Sequence, residues 1–76
     1  MFGVSEATLK SLRERFPKGC RVELTHMNDP WNSRLHEGSL GTVIMVDDIG
    51  TIHVAWDCGS SLGVVYGEDS CRHVDA

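Results

Sequence analysis

Residues 42–56 read TVIMVDDIGTIHVAW, and this stretch decides the fold. Two runs of mostly aliphatic residues flank a polar turn that contains Gly50. In the second run Ile52, Val54 and Trp56 occupy alternate positions, which places them on one face of a strand. We therefore predict a β-hairpin in which Gly50 takes a positive φ and Trp56 lies in the core.

Shorter strand-like segments lie on both sides of this hairpin and are separated by residues typical of turns. Hydrophobic and polar residues alternate in the first of them, as in a half-buried strand. The predicted strands are 21–26, 61–65 and 72–74, with a long loop over 28–39 and a single 3₁₀ turn over 67–71.

An amphipathic helix is predicted before the first strand. Ser5 is a good N-cap, because its hydroxyl can accept a hydrogen bond from an amide of the first turn. Leu9, Leu12 and Phe16 form one apolar stripe at helical spacing. Pro17 ends the helix, since the residue before a proline avoids the α conformation.

This order of elements predicts a mainly β fold: a small five-stranded SH3-like barrel with one N-terminal α-helix packed on it. Closing the sheet would remove its exposed edges. The length allows a single domain over residues 1–76, with the helix at about 5–16 and the barrel over 19–75.

Composition excludes several classes of function. The net charge of -4 argues against a general binder of the phosphate backbone, which needs clustered basic residues. No apolar run approaches the ~18 residues of a membrane span. The first residues lack the basic start and apolar stretch of a signal peptide, so we expect a cytoplasmic protein that does not contact membranes.

The three cysteines, Cys20, Cys58 and Cys71, cannot all pair within the chain, and no two have Cys-x-x-Cys spacing. We expect free thiols in a reducing compartment. Antiparallel pairing of the first and last strands would bring Cys71 and His73 towards His26. Structural zinc sites use two closely spaced ligand pairs, whereas Cys71 and His73 are the only close pair in this sequence. We therefore expect no metal and no cofactor.

Cys58 is a candidate nucleophile, because it follows Asp57 and lies near His53 in the sequence. A neighbouring carboxylate raises the pKa of a thiol, which is the wrong direction for a nucleophile. A barrel of this size is filled by its own side chains and leaves no deep pocket. We therefore predict that the protein is not an enzyme.

Binding of a protein partner is the function that we predict. Trp31 lies in the long loop with Arg34 and His36, and Tyr66 precedes the predicted 3₁₀ turn. In an SH3-like barrel these two places frame one groove, where aromatic side chains supply contact area. In the alternative interpretation, Trp31 folds back over the end of the barrel and leaves no groove.

A nucleic-acid-associated accessory protein is the alternative function. Five of the seven basic residues fall in the N-terminal third, and a basic helix could contact RNA or DNA locally. These residues are Lys10, Arg13, Arg15, Lys18 and Arg21.

Two motifs carry a family resemblance: Gly-x-x-Gly-Thr-Val at 38–43 and Val-x-Trp-Asp-x-Gly at 54–59. Between about Leu9 and Val74 the sequence resembles short bacterial and phage-borne proteins described as a domain of unknown function (forty-three fourteen). The resemblance implies an SH3-like fold and a mobile-element setting, and it implies no reaction or ligand. Cys58 departs from the asparagine that is usual at this position.

Overall fold

The computed structural model describes residues 4–28 and 35–74. These residues form a mainly β fold, with one helix and a five-stranded antiparallel sheet. The elements in chain order are α1 (Glu6–Arg15), β1 (Arg21–His26), β2 (Leu40–Val46), β3 (Thr51–Trp56), β4 (Val64–Val65) and β5 (Ser70–His73).

Strand order in the sheet is β4-β3-β2-β1-β5. The predicted pairing of the first and last strands is confirmed, with Leu24 of β1 opposite Cys71 of β5. β4 and β5 stand at the two ends of this order, and they contact each other without forming a ladder in the described part of the chain. The predicted closure is therefore not made by strand pairing among these residues.

Helix α1 begins and ends as its sequence predicts. The Thr8 amide donates to Ser5 Oγ at 3.1 Å, which confirms the N-cap. At the other end the Phe16 amide donates to the Leu12 carbonyl at 2.8 Å. Leu12 and Phe16 are buried and Leu9 packs against the core, so the apolar stripe holds the helix on the sheet.

The β2–β3 turn is organised by the Asp47 carboxylate. It accepts hydrogen bonds from the Ile49 amide at 3.1 Å, the Thr51 amide at 2.9 Å and His53 Nε2 at 2.8 Å. Burial alone would raise the pKa of Asp47, but these hydrogen bonds outweigh it and leave the pKa below its ordinary value. Gly50 completes the turn at a φ of 87°, as predicted.

Trp56 lies at the centre of the core, with 3% of its surface exposed. Its Nε1 donates to the Leu62 carbonyl at 2.8 Å, so the one polar atom of the indole is satisfied. Gly41 lies directly opposite Trp56 in the ladder, and a Cβ there would come within 2.8 Å of the indole and 2.5 Å of Val54 Cγ1. The predicted core position of Trp56 is confirmed.

A β-bulge makes β2 differ from a regular alternating strand. The register with β3 shifts between Val43 and Met45, so Ile44 has no partner of its own. Ile44 and Met45 are both about half exposed, at 47% and 50%.

The chain between β3 and β5 departs from the sequence predictions. β4 is the two residues Val64–Val65, shorter than the predicted 61–65. The predicted 3₁₀ turn is wrong: Gly67 has a φ of 91°, which no 3₁₀ helix allows. Instead the Glu68 and Asp69 amides both donate to the Val65 carbonyl, at 3.0 and 2.8 Å.

Replacing Trp56 tests the importance of the core. We expect Trp56→Ala to lower the free energy of unfolding by about 3–5 kcal/mol, because it removes a large buried ring and leaves a cavity. Ile44→Ala, a control at an exposed position, should cost less than about 1 kcal/mol. Denaturant unfolding of both variants measures the difference, and equal losses would contradict the central role of Trp56.

Acid unfolding should depend on Asp47. Because its folded pKa lies below the unfolded value of 3.8, its ionised form stabilises the fold above that pH, and this contribution is lost as pH falls through the folded pKa. Asp47→Asn keeps an oxygen for the turn amides but cannot titrate. Its free energy of unfolding should fall less than that of the wild type between about pH 5 and pH 3. Parallel losses in the two proteins would contradict this role.

Candidate binding groove

A cleft of about 510 Å³ opens between helix α1 and the turn that joins β4 to β5. Leu12 and Phe16 line it from the helix, and Ile52 and Val64 line it from the sheet. All four are buried core residues, so the cleft has an apolar floor. Arg15, Tyr66 and Glu68 are exposed residues among those that line it.

Tyr66 borders this cleft and two smaller ones beside it. A cleft of about 360 Å³ lies towards the start of the helix, next to Thr8 and Val65, and another of about 240 Å³ runs along Ala7 and Ser11. The Tyr66 side chain is 52% exposed. We refer to the three clefts bordered by Tyr66 and α1 as the Tyr66 groove.

Asp69 fixes the turn that carries Tyr66. Its Oδ2 accepts from the Val65 amide at 3.0 Å, and its Oδ1 accepts from the Asn28 amide at 2.8 Å. Asn28 is the last described residue before the gap at 29–34. One carboxylate therefore bonds the first residue after β1 that the loop prediction includes, Asn28, to the turn that carries Tyr66.

The four predicted binding residues fall in different places. Trp31 and Arg34 lie outside the described residues, so their roles stay predictions. Tyr66 lies in the groove. His36 is exposed at the β2 end of the long loop, where its amide donates to Ser39 Oγ at 3.2 Å. Asp69 was not identified from the sequence, because nothing local shows that its carboxylate reaches residue 28.

Two residues of the predicted basic face are engaged with acids. Arg21 forms a two-pronged ion pair with Asp57, at 2.9 and 2.6 Å, and also donates to Thr42 Oγ1 at 2.9 Å. The hydrogen bond from Arg21 lowers the pKa of Asp57. Arg13 reaches from the helix to Asp48 in the β2–β3 turn, at 2.8 Å.

The other basic residues of this set point in different directions. Lys10 and Arg15 are five residues apart and therefore about 140° apart around a helix. The Arg15 guanidinium lies over the Phe16 ring, 5.0 Å from its centroid. Lys18 is exposed beyond the end of the helix. Lys10 and Arg15 therefore lie on different faces of the helix, and the basic face stays a prediction.

The cysteines differ in their surroundings. The pKa of Cys71 is raised to about 11, chiefly by burial and also by Cys20, while Arg15 acts in the opposite direction. Burial also raises the pKa of Cys20, partly offset by a backbone hydrogen bond. Cys58 is exposed.

Neither a cation site nor a membrane-spanning helix is present in the described part of the chain. Within residues 4–28 and 35–74, no three His, Cys, Asp or Glu residues are grouped as a metal site would require. The described residues contain one helix, α1, and it is too short and too polar to cross a membrane.

The family described as Domain of unknown function (DUF4314) matches residues 5–74. The chain belongs to this family. The resemblance noted in the sequence is thereby confirmed, and the family description assigns no reaction, ligand or partner. No curated protein and no solved structure is significantly similar to the chain.

The residues that carry the DUF4314 resemblance have structural roles here. Gly41 leaves room for Trp56, and Asp57 holds Arg21 across the sheet. Gly38 and Gly59 both have a φ of 94°, a conformation that side chains with a Cβ rarely adopt. The motifs thus explain why the chain folds this way, whereas Tyr66 and its groove lie outside them.

Thiol titration under native conditions should separate the cysteines. We expect Cys58 to react first, because it is exposed, and Cys71 last, because its pKa of about 11 leaves little thiolate. A Cys58→Ser variant should lose the fast phase of the reaction with a thiol reagent. A fast phase that persists in this variant would contradict the assignment.

Proposed function

We propose that this protein is a non-enzymatic module that binds another protein through the Tyr66 groove and the long loop after the first strand. The observation that carries the proposal is the exposed Tyr66 side chain, set among three clefts, of which the one of about 510 Å³ has an apolar floor. A tyrosine supplies a large contact area at a low cost in side-chain entropy, which is why such residues are enriched in protein interfaces.

The chemistry of the groove favours a protein surface over a reacting substrate. The Asp69 carboxylate in the turn after Tyr66 already accepts from the Val65 and Asn28 amides. It therefore serves the structure. The cleft has an apolar floor, and Arg15 and Glu68 are exposed residues of its lining, which suits an apolar side chain flanked by polar ones.

An SH3-like architecture is part of this proposal. The strand order, the long first loop and the short connection before the last strand support it. In that architecture the loop and the connection border one face, and Asp69 joins them here. We further propose a bacterial, mobile-element setting from the family resemblance, and a cytoplasmic location from the odd number of unpaired cysteines.

Nucleic-acid binding has less support. It would require Arg13 and Arg21 to leave carboxylates that they already contact, and the chain as a whole carries a net charge of -4. A protein that binds phosphates chiefly by charge gains affinity from cations that are not neutralised by neighbouring acids.

Tyr66→Ala tests the proposal. Tagged wild-type protein and variants are used to recover proteins from a lysate of the source cell, with quantitative mass spectrometry as the readout. We expect at least one protein to be retained by the wild type and by Ile44→Ala, a control of similar exposure outside the groove, and to be lost with Tyr66→Ala and Trp31→Ala.

Nuclease treatment of the lysate separates the two functions. Recovery that survives nuclease and depends on Tyr66 supports a protein partner. Recovery that disappears with nuclease, falls steeply with salt and is lost with Lys10→Ala would instead support the nucleic-acid alternative. Identical recovery by all variants would contradict the groove.

A further inference from the structure

The sheet has two edges, and they differ in what their backbone groups do. β4 ends one side of the sheet and β5 ends the other. A strand at an edge presents N–H and C=O groups that no neighbouring strand satisfies, and proteins either cover them or use them to pair with another chain.

The β4 edge is closed by its own turn. The Val65 amide donates to Asp69 Oδ2, and the Val65 carbonyl accepts from the Glu68 and Asp69 amides. Both backbone groups of Val65 are thus bonded within the chain, and a further strand has little to pair with at a segment two residues long.

The β5 edge is open as far as residues 4–28 and 35–74 are concerned. The Val74 amide donates to the Arg21 carbonyl, which makes these two a hydrogen-bonded pair of the antiparallel ladder. Hydrogen-bonded and non-hydrogen-bonded pairs alternate along such a ladder. The pairs His73–Val22 and Cys71–Leu24 are therefore non-hydrogen-bonded. The backbone N–H and C=O groups of Cys71 and His73 consequently point away from β1.

The other side of β1 supports the same assignment. The Leu24 amide donates to the Ser39 carbonyl, next to β2, and so does not face Cys71. No residue in the described part of the chain forms a hydrogen bond with the outward amide or carbonyl of Cys71 or His73. The β5 edge therefore offers two donors and two acceptors at the spacing of a strand.

This edge borders the Tyr66 groove. Cys71 lies opposite the buried Leu24, shares its face of the sheet and lines the cleft of about 510 Å³. A residue of an added strand that paired with Cys71 would share that face, and its side chain would enter the cleft above Leu12 and Phe16.

The charge at the cleft further defines the partner. Arg15 lines the cleft and acts electrostatically on Cys71. Among the described residues, no carboxylate lies within ion-pair distance of its guanidinium, whereas Arg72 on the opposite face of β5 is paired with Glu23. Glu68 and Asp69 also line this cleft, and Asp69 already accepts from two amides; Arg15 is the arginine of the lining and is complementary to an acidic residue of the incoming chain.

We propose that β5 accepts an extended segment of the partner protein as an additional strand, with an apolar side chain in the cleft and a carboxylate against Arg15. This inference rests on the proposed function and specifies the form and chemistry of the partner. Backbone hydrogen bonds would provide the affinity, and the cleft and Arg15 the specificity.

His73→Pro tests the edge directly. The His73 amide points away from β1, so proline there removes no ladder hydrogen bond, while its ring occupies the place where an added strand must approach. The probe is a set of short linear peptides selected on the wild-type protein from a random display library. We expect them to share an apolar residue near an acidic one, and to bind His73→Pro about tenfold more weakly or worse.

His73→Ala is the matched control, because it removes the same side chain and keeps the amide. Its affinity for the peptides should stay within about twofold of the wild type. Arg15→Gln should weaken the peptides that contain the acidic residue and should leave their neutral versions unchanged. Circular dichroism establishes that each variant is folded.

N-methylation of the peptide backbone provides a second measurement on the unaltered protein, should His73→Pro not fold. Methylation of alternate amides should abolish binding, because only those amides face β5. Binding that is insensitive to methylation at every position would overturn the proposal.

Three other outcomes would also overturn it. They are a library that yields no binding peptide, equal affinity of the wild type and His73→Pro, and self-association that His73→Pro abolishes in sedimentation, which would assign the edge to a second copy of this chain. Peptides that lose affinity with Tyr66→Ala but not with His73→Pro would overturn the added strand and leave the proposed function standing.

Discussion

The packing of Trp56 against Gly41 is the constraint on which the rest of this small fold depends. The indole is the largest side chain among the buried residues, and it fits because the residue opposite it in the β2–β3 ladder has no Cβ. Its Nε1 bonds to the Leu62 carbonyl, which ties the chain after β3 to the same ring. A chain of 76 residues has one small core, so this contact both fixes the hairpin and positions the segment that leads to β4.

From that core, three carboxylates connect parts of the chain that are distant in sequence. Asp57 holds Arg21 of β1 beside β2 and β3, Asp48 reaches Arg13 of the helix, and Asp69 joins the start of the long loop to the turn before β5. Arg13 and Asp48 are exposed, and such pairs contribute little stability individually. The value of Asp69 is geometric, because it fixes Asn28 beside the turn that carries Tyr66.

The family motifs and the groove divide the protein into two parts with different tasks. Gly41, Asp57 and the two glycines at positive φ account for the motifs through backbone geometry and packing. The surface formed by α1, Tyr66 and the edge of β5 lies outside the motifs and carries the exposed aromatic ring, the apolar cleft and the outward backbone groups.

Local signals in the sequence determined the elements. Alternation in 51–56 predicted β3 and the burial of Trp56, and Ser5 with the stripe ending at Phe16 predicted the helix. These features depend on residues that are close together in the chain, and the strand and helix periods make them visible. The positive φ at Gly50 follows from the same local chemistry.

Contacts between distant residues decided what the sequence could not show. The bulge at Ile44 arises from the register between β2 and β3, and the bond from Asn28 to Asp69 spans two segments with no common pattern. The positive φ of Gly67 replaced a 3₁₀ turn that polar composition alone had favoured. Whether the β4 or the β5 edge is open depends on where one carboxylate and a few amides point. That direction is a property of the folded chain, because it requires the turn, the sheet and the long loop to be in place together.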